Sequence, residues 1–246
     1  MQLIKALADK LNQAETITCL TGAGVSTASG IPDFRSTNGY WKEGKSREYY
    51  MSREYFFHDP EDFWNKYKDI FRLKLLKNFE PNNVHLFLKQ LEKNHKKVHI
   101  VTQNVDGLHR AAGSKSIIEY HGNLNTASCP RCGASYSLDY VMQEKIPVCN
   151  QKACEDILKP DIVLFGDPIT EHGNAESVIQ QSDFILVMGT SLLVSPFNLL
   201  PSFAMMECNI PGAIINRDAT EMDALFEFVI HDDLVRVTNQ LKNYVK

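Results

Sequence analysis

The chain has 246 residues, 43% of them hydrophobic, and a formal net charge of −4. That is enough apolar material to bury a full core as one large domain or a large one with an insert, and the charge excludes a general electrostatic attraction to nucleic acid or an anionic membrane. No segment approaches the ~18 apolar residues of a membrane span, and Met1-Gln2-Leu3-Ile4-Lys5 opens an amphipathic pattern rather than a signal peptide, so a cytoplasmic location is expected.

Leu3, Leu7, Ala8 and Leu11 recur at helical spacing, predicting a helix over residues 3–14, and Ile17-Thr18-Cys19-Leu20-Thr21 predicts a strand over 16–21. Gly22-Ala23-Gly24-Val25-Ser26-Thr27 follows. A glycine turn after a strand lets backbone N–H groups approach a phosphate. The third glycine of a dinucleotide fingerprint is Thr27 here, so a plain tight turn stays open as an alternative.

Aromatics crowd the next stretch, from Tyr40 and Trp41 through Tyr49, Tyr50, Tyr55, Phe56, Phe57, Phe63, Trp64, Tyr67 and Phe71. Asp59-Pro60-Glu61 predicts a helix start continuing to about residue 77. No basic stripe accompanies the aromatics, which favours the core of a small helical lobe over a nucleic-acid platform. Pro81-Asn82-Asn83 punctuates before a helix from Val84, where His85 reads as structural.

Val98-His99-Ile100-Val101-Thr102 predicts a strand delivering Gln103-Asn104-Val105-Asp106-Gly107-Leu108-His109 at its carboxyl end, where open α/β sheets bind ligands. Ser116 to Tyr120 predicts another, ending at His121-Gly122. Cys129-Pro130-Arg131-Cys132 and Cys149-Asn150-Gln151-Lys152-Ala153-Cys154 are pairs separated by sixteen residues, the spacing of a four-cysteine zinc ribbon. Four thiolates leave no open position for water, so the metal is read as structural; a redox role for the first pair fits the second pair poorly.

Lys159 to Asp167 reads as a return to the sheet. Further strands are expected at 184–188, 213–215 and 226–230, with helices near 171–181, 196–207 and 232–244. The alternation predicts a doubly wound parallel α/β sheet.

Taken together, Gly22-Ala23-Gly24-Val25-Ser26, Gly30-Ile31-Pro32-Asp33-Phe34-Arg35, Thr102-Gln103-Asn104-Val105-Asp106-Gly107-Leu108-His109, His121-Gly122, the four cysteines, Phe165-Gly166 and Gly189-Thr190-Ser191-Leu192 resemble the sirtuins, NAD-dependent protein-lysine deacylases. The resemblance spans essentially the whole chain. It implies a Rossmann-like large domain at about 1–28, 86–121 and 161–246, and a small lobe of a helical part (about 29–85) and a zinc ribbon (about 122–160).

The resemblance also implies roles. His121 would take a proton from a ribose hydroxyl, and Asn104, with Gln103, would hold ribose hydroxyls. Ala23, Thr27, Phe34, Arg35, Val105, Asp106, Thr190, Ser191, Asn216 and Asp233 would line the NAD site, Asp233 competing with neighbouring Asp232. Val163, Phe165 and Gly166 would flank an acyl-lysine tunnel, and the backbone near Gly166 and at Leu192-Leu193-Val194 would sandwich the peptide as an added strand. Cys129, Cys132, Cys149 and Cys154 would bind zinc.

The implied products are free lysine, nicotinamide and 2′-O-acetyl-ADP-ribose. Two departures from the family pattern stand out. Asp167 replaces a common glutamate, and the Tyr-x-x-Arg pair of members preferring acidic acyl groups is missing, Tyr67 being followed by Ile70, which favours acetyl, with Arg72 close by in sequence as the alternative cation. Protein mono-ADP-ribosylation and a non-catalytic, zinc-stabilised NAD sensor remain the competing readings.

Overall fold

The structure, a computed structural model, describes residues 2–31, 47–71, 79–93 and 96–246. Ile4, Leu7, Ala8 and Leu11 form the buried stripe of α1 (Gln2–Gln13), which feeds β1 (Thr16–Thr21). Beyond it lie β2 (Lys97–Thr102), β3 (Ser116–Glu119), β7 (Phe184–Met188), β8 (Gly212–Asn216) and β9 (Phe228–His231) of one six-stranded sheet, ordered β3-β2-β1-β7-β8-β9. Every pairing in it is parallel. β7 is buried along its whole length, as a strand covered on both faces must be.

Parallel strands put all their carboxyl ends on one edge. The chain turns from β1 toward β2 on one side, while β7 leads toward β8 on the other, so the order reverses between β1 and β7. That is the point at which open α/β sheets offer a crevice to ligands. One face of the sheet is covered by α1, α5 (Asn83–Leu91) and α10 (Leu234–Leu241), whose Leu7, Phe87, Leu88 and Val237 join Ile17 and Ile100 in a single core. The other is covered by α8 (His172–Gln180), with Ala175 and Ile179 buried against Leu20 and Val187.

A second sheet is antiparallel and has three strands, ordered β5-β4-β6: β4 (Gly122–Ser128), β5 (Ser135–Ser137) and β6 (Lys159–Ile162). This corrects the reading of 159–167 as a return to the main sheet. Lys159 and Pro160 pair with Ser128 and Ala127 of β4 instead, leaving Val163 to Asp167 as a loop. Pro160 lacks an N–H, and an edge strand is where a sheet tolerates that.

The aromatics pack beside this sheet. α2 (Arg47–Tyr50), α3 (Arg53–His58) and α4 (Pro60–Ile70) supply Tyr50, Phe56, Phe63, Trp64 and Tyr67 to a core shared with Cys129, Cys149 and Leu158. α4 starts as its sequence dictates, with Asp59 Oδ1 accepting from Asp62 N at 3.0 Å and Pro60 in the first turn. Trp64 Nε1 donates to Leu158 O at 2.9 Å, tying the helices to the small sheet. The predicted continuation of α4 over residues 72–77 lies outside the described residues.

Two further short helices are α6 (Leu108–Ala111) and α7 (Leu138–Gln143). The helix expected over 196–207 is instead a single turn, α9 (Leu199–Ser202), widening into a π-helical turn at Phe203–Glu207. Pro201 has no N–H to donate within the regular ladder.

Candidate active site

Gly22 begins a 3-10 turn, Ala23–Ser29, at the carboxyl end of β1. Gly22 N donates to Met188 O at 3.2 Å and Gly24 N to Gly189 O at 2.8 Å, so this turn and the one after β7 are in backbone contact. A Cβ on Gly24 would lie 2.7 Å from Gly189 Cα, and one on Gly189, whose φ is +62°, 2.6 Å from Val25 N. The glycines here are required by the approach of two strand exits.

The exit of β2 reaches the same turn with side chains. Asn104, buried, donates from Nδ2 to Gly22 O at 3.1 Å and to Ser26 Oγ at 3.0 Å. Both amide protons are thereby committed, and Oδ1 is left to accept a hydrogen bond from a bound hydroxyl. Asp106 accepts from Ser26 Oγ at 2.7 Å and from Leu108 N at 3.0 Å. Gln103 Nε2 donates to Thr190 Oγ1 at 2.9 Å, and Leu192 N donates to that same oxygen at 3.2 Å. With its acceptor capacity used, the Thr190 hydroxyl retains its proton for an incoming oxygen.

Val105 is half-buried, its carbonyl accepting from Leu124 N at 3.0 Å. Ala23 and Thr27 are half-buried in the turn, which Thr27 Oγ1 closes by donating to Gly24 O at 3.0 Å.

His121 follows β3 by two residues. Its Nδ1 lies 3.2 Å from Gln103 O. A carbonyl only accepts, so Nδ1 carries the proton and Nε2 is the basic atom. Burial pushes the His121 pKa below its usual 6.5, partly offset by the Gln103 carbonyl, so the ring is neutral at neutral pH. The ring of Tyr120 meets it edge-on at 5.3 Å. Val163 N donates to His121 O at 2.9 Å, so the loop after β6 is anchored beside the imidazole.

That loop presents Phe165, 48% exposed, and Gly166 at φ +90°. Phe165 is gripped by backbone bonds from the helical part, Arg53 N donating to Phe165 O at 2.9 Å and Phe165 N to Met51 O at 2.9 Å. Asp167, the departure from the family's glutamate, accepts from Leu164 N at 2.9 Å and pairs with Lys159 Nζ at 2.7 Å. After β7, Leu193 and Val194 are exposed apolar residues, 61% and 48% accessible.

At the far end of the edge, Asn216 Nδ2 donates to Asp218 O at 2.9 Å, and Ser191 is half-buried beside Thr190. Asp233 caps α10 by accepting from Arg236 N at 3.0 Å and lies 3.7 Å from Arg217. Asp232, its rival, pairs with Arg236. Phe34 and Arg35 lie outside the described residues.

The four cysteines converge as their spacing predicts. All four Sγ atoms lie within 4.8 Å of one another, with Cys129 and Cys154 at 3.5 Å and Cys132 and Cys149 at 3.6 Å. Tetrahedral zinc with bonds of ~2.3 Å sets its sulfurs ~3.8 Å apart, so the donor set fits that ion. The NAD expectation passes a similar test. The crevice offers amides and hydroxyls from Gln103, Asn104, Thr190, Ser191 and Asn216, a mainly neutral donor set suited to ribose diols and phosphoryl oxygens.

Some groups were not singled out from the sequence. Ser26 bonds both Asn104 and Asp106, yet in the string it is one small residue of a glycine turn. Met51 and Arg53 act through their backbones, which leave no mark on side-chain pattern.

The sequence model of the Sir2 family matches residues 22–196. This chain belongs to the Sir2 family. The sirtuin is 43% identical over 247 residues to "NAD-dependent protein deacetylase 2" of Geobacillus kaustophilus, covering 100% of this chain and 99% of the relative. It is 45% identical over 229 residues to the NAD-dependent protein deacetylase of Bacillus subtilis, covering 91% and 93%. A solved structure of Sir2 with a p53 peptide and NAD+ superposes with a TM-score of 0.83 at 30% identity, covering 98% of this sirtuin and 97% of that chain.

Proposed function

We propose that this sirtuin is an NAD-dependent protein-lysine deacetylase that moves the acetyl group of acetyl-lysine to ADP-ribose, releasing nicotinamide. Membership of the family and relatives named for this activity support the reading. The observation that carries the catalytic assignment is the bond from His121 Nδ1 to Gln103 O, which leaves Nε2 as a neutral base at a strand edge lined by ribose-binding groups.

NAD would lie across the crevice, the turn from Ala23 to Thr27 facing its phosphates together with Thr190 and Ser191, and Asn216 and Asp233 at the adenosine end. Phe34 and Arg35 belong to the same assignment. When bound, NAD supplies an anomeric carbon that becomes electrophilic as nicotinamide departs. Asn104 Oδ1 orients a ribose hydroxyl, and Val105 and Asp106 face the nicotinamide amide. His121 Nε2 receives a proton from that ribose, which needs the neutral form that burial favours.

Val163, Phe165 and Gly166 on one side and Val194 on the other would hold the acyl-lysine peptide as an added strand between the two lobes. Cys129, Cys132, Cys149 and Cys154 would hold one zinc ion as a fold element. Clustered cysteines used for metal rather than for disulfides are the habit of a reducing compartment, in keeping with a cytoplasmic location. Among the described residues no helix is long and apolar enough to cross a membrane.

Incubation with an acetyl-lysine peptide, with and without NAD, tests the reading. Loss of acetyl mass only with NAD, together with nicotinamide release, is expected. A peptide gaining the mass of ADP-ribose would establish transfer instead, and NAD binding without turnover a sensor.

A further inference from the structure

Asn82 is the N-cap of α5, on the helix layer beneath the main sheet, and its side chain reaches the turn after β1. Its Nδ2 donates to Val25 O at 2.8 Å and to Ser29 Oγ at 2.9 Å. Its Oδ1 accepts from Val84 N at 2.8 Å, and its backbone N–H donates to His85 Nδ1 at 3.2 Å. Both amide protons and the carbonyl are thus in use, half for the helix and half for the turn.

The helix end that carries Asn82 is firmly placed. His85 is fully buried, and its ring meets that of His109 edge-on at 4.8 Å. His109 Nε2 in turn lies 3.0 Å from Thr21 Oγ1, on the last residue of β1. Asn82 therefore stands on the core beneath β1 and passes that fixed position to the turn above it.

Among the described residues, three sets of tethers hold the turn. Met188 and Gly189 hold Gly22 and Gly24, Asn104 and Asp106 hold Gly22 and Ser26, and Asn82 holds Val25 and Ser29. The first two sets act from strand exits that line the crevice. The third acts from behind and reaches the end of the turn. Val25 is buried, so its carbonyl, deprived of the Asn82 amide, would have to move to find another donor.

We propose that Asn82 is a positioning residue for NAD, acting through Val25 and Ser29 to hold the turn in its binding shape without touching the cofactor. The inference rests on the NAD reading above.

Asn82→Asp separates tether from cap. Aspartate caps a helix as well as asparagine does, but its second oxygen has no proton for Val25 O. Asn82→Ala removes both functions. For Asn82→Asp we expect the KM for NAD to rise roughly tenfold, with kcat and the KM for acetyl peptide within about twofold of the parent and a modestly lower unfolding temperature, since Val25 O loses its donor. Asn82→Ala should show the same KM change and an unfolding temperature lower still, because the helix cap goes as well. An active parent whose Asn82→Asp variant keeps the parental KM for NAD, or raises both KM values together while losing stability, overturns the inference alone. A parent that consumes no NAD overturns the reading beneath it as well.

Discussion

Gly24 donates its N–H to Gly189 O at 2.8 Å, joining the exits of two adjacent parallel strands at the place where the strand order reverses. The contact leaves no room for side chains on either residue. Gly189→Ala would place a methyl 2.6 Å from Val25 N at a φ of +62°. It should destabilise the protein by at least ~2 kcal/mol and weaken NAD binding. Gly173→Ala is the control, since Gly173 lies inside α8 with nothing within 4 Å of its added Cβ. That change should be stabilising by ~0.5–1 kcal/mol. Urea unfolding of the two variants checks both signs.

The parallel sheet was legible because its strands are short apolar runs ending in polar clusters, and β1 falls on residues 16–21 as its apolar run predicts. The four cysteines were legible because ligand spacing is a local property. The position of β6 was not. Lys159 to Asp167 has the same apolar look as a buried strand, and only its pairing with β4 shows which sheet it joins. Asn82 was read as punctuation because Pro81-Asn82-Asn83 is turn chemistry, whereas its bond to Val25 spans 57 positions of sequence. Contacts of that range leave no periodic signature.

His121→Ala should lower kcat by ~10²–10⁴-fold while leaving the unfolding temperature near the parent's. In the parent, kcat/KM should fall on the acid side with an apparent pKa below 6.5, because burial disfavours the imidazolium. A pH–rate profile flat down to pH 4, or a His121→Ala variant as fast as the parent, would remove His121 from its role.

Zinc should be present at one ion per chain and be needed for folding rather than chemistry. Trp64 shares a core with Cys129 and Cys149, so its fluorescence reports on that region. Complete removal by a chelator should redden the emission and lower the unfolding temperature. An unchanged spectrum after verified metal loss would contradict a structural ion.

Acid should destabilise the protein through His85 and His109. Burial lowers the His85 pKa to about 4, against a partial rise from Asp106, and lowers that of His109 to about 3, with His85 adding to the effect. Both folded values lie below the ordinary 6.5 of an unfolded histidine. As pH falls, the unfolded chain therefore takes up protons first. Their contribution is full above about pH 6.5 and is lost as pH falls, toward 4 for His85 and toward 3 for His109. Unfolding midpoints measured between pH 7 and 4.5 should decline steadily, and His109→Gln should flatten the slope.

The acyl pocket should favour uncharged groups. Tyr67 is buried in the aromatic core and is followed three positions later by Ile70, so that position offers no guanidinium to a carboxylate. Succinyl-lysine peptides should turn over at least ~10-fold more slowly than acetyl-lysine peptides at equal concentration. Equal rates would place a cation in the pocket that this account does not contain.

The most direct test follows the acetyl group itself. A peptide bearing isotopically labelled acetyl-lysine is incubated with the protein and NAD, and the label is traced by mass spectrometry in the first turnovers. The account predicts label on ADP-ribose, with nicotinamide and free-lysine peptide formed in equal amounts. Label appearing first as free acetate, or acetyl loss unmatched by nicotinamide, would contradict it.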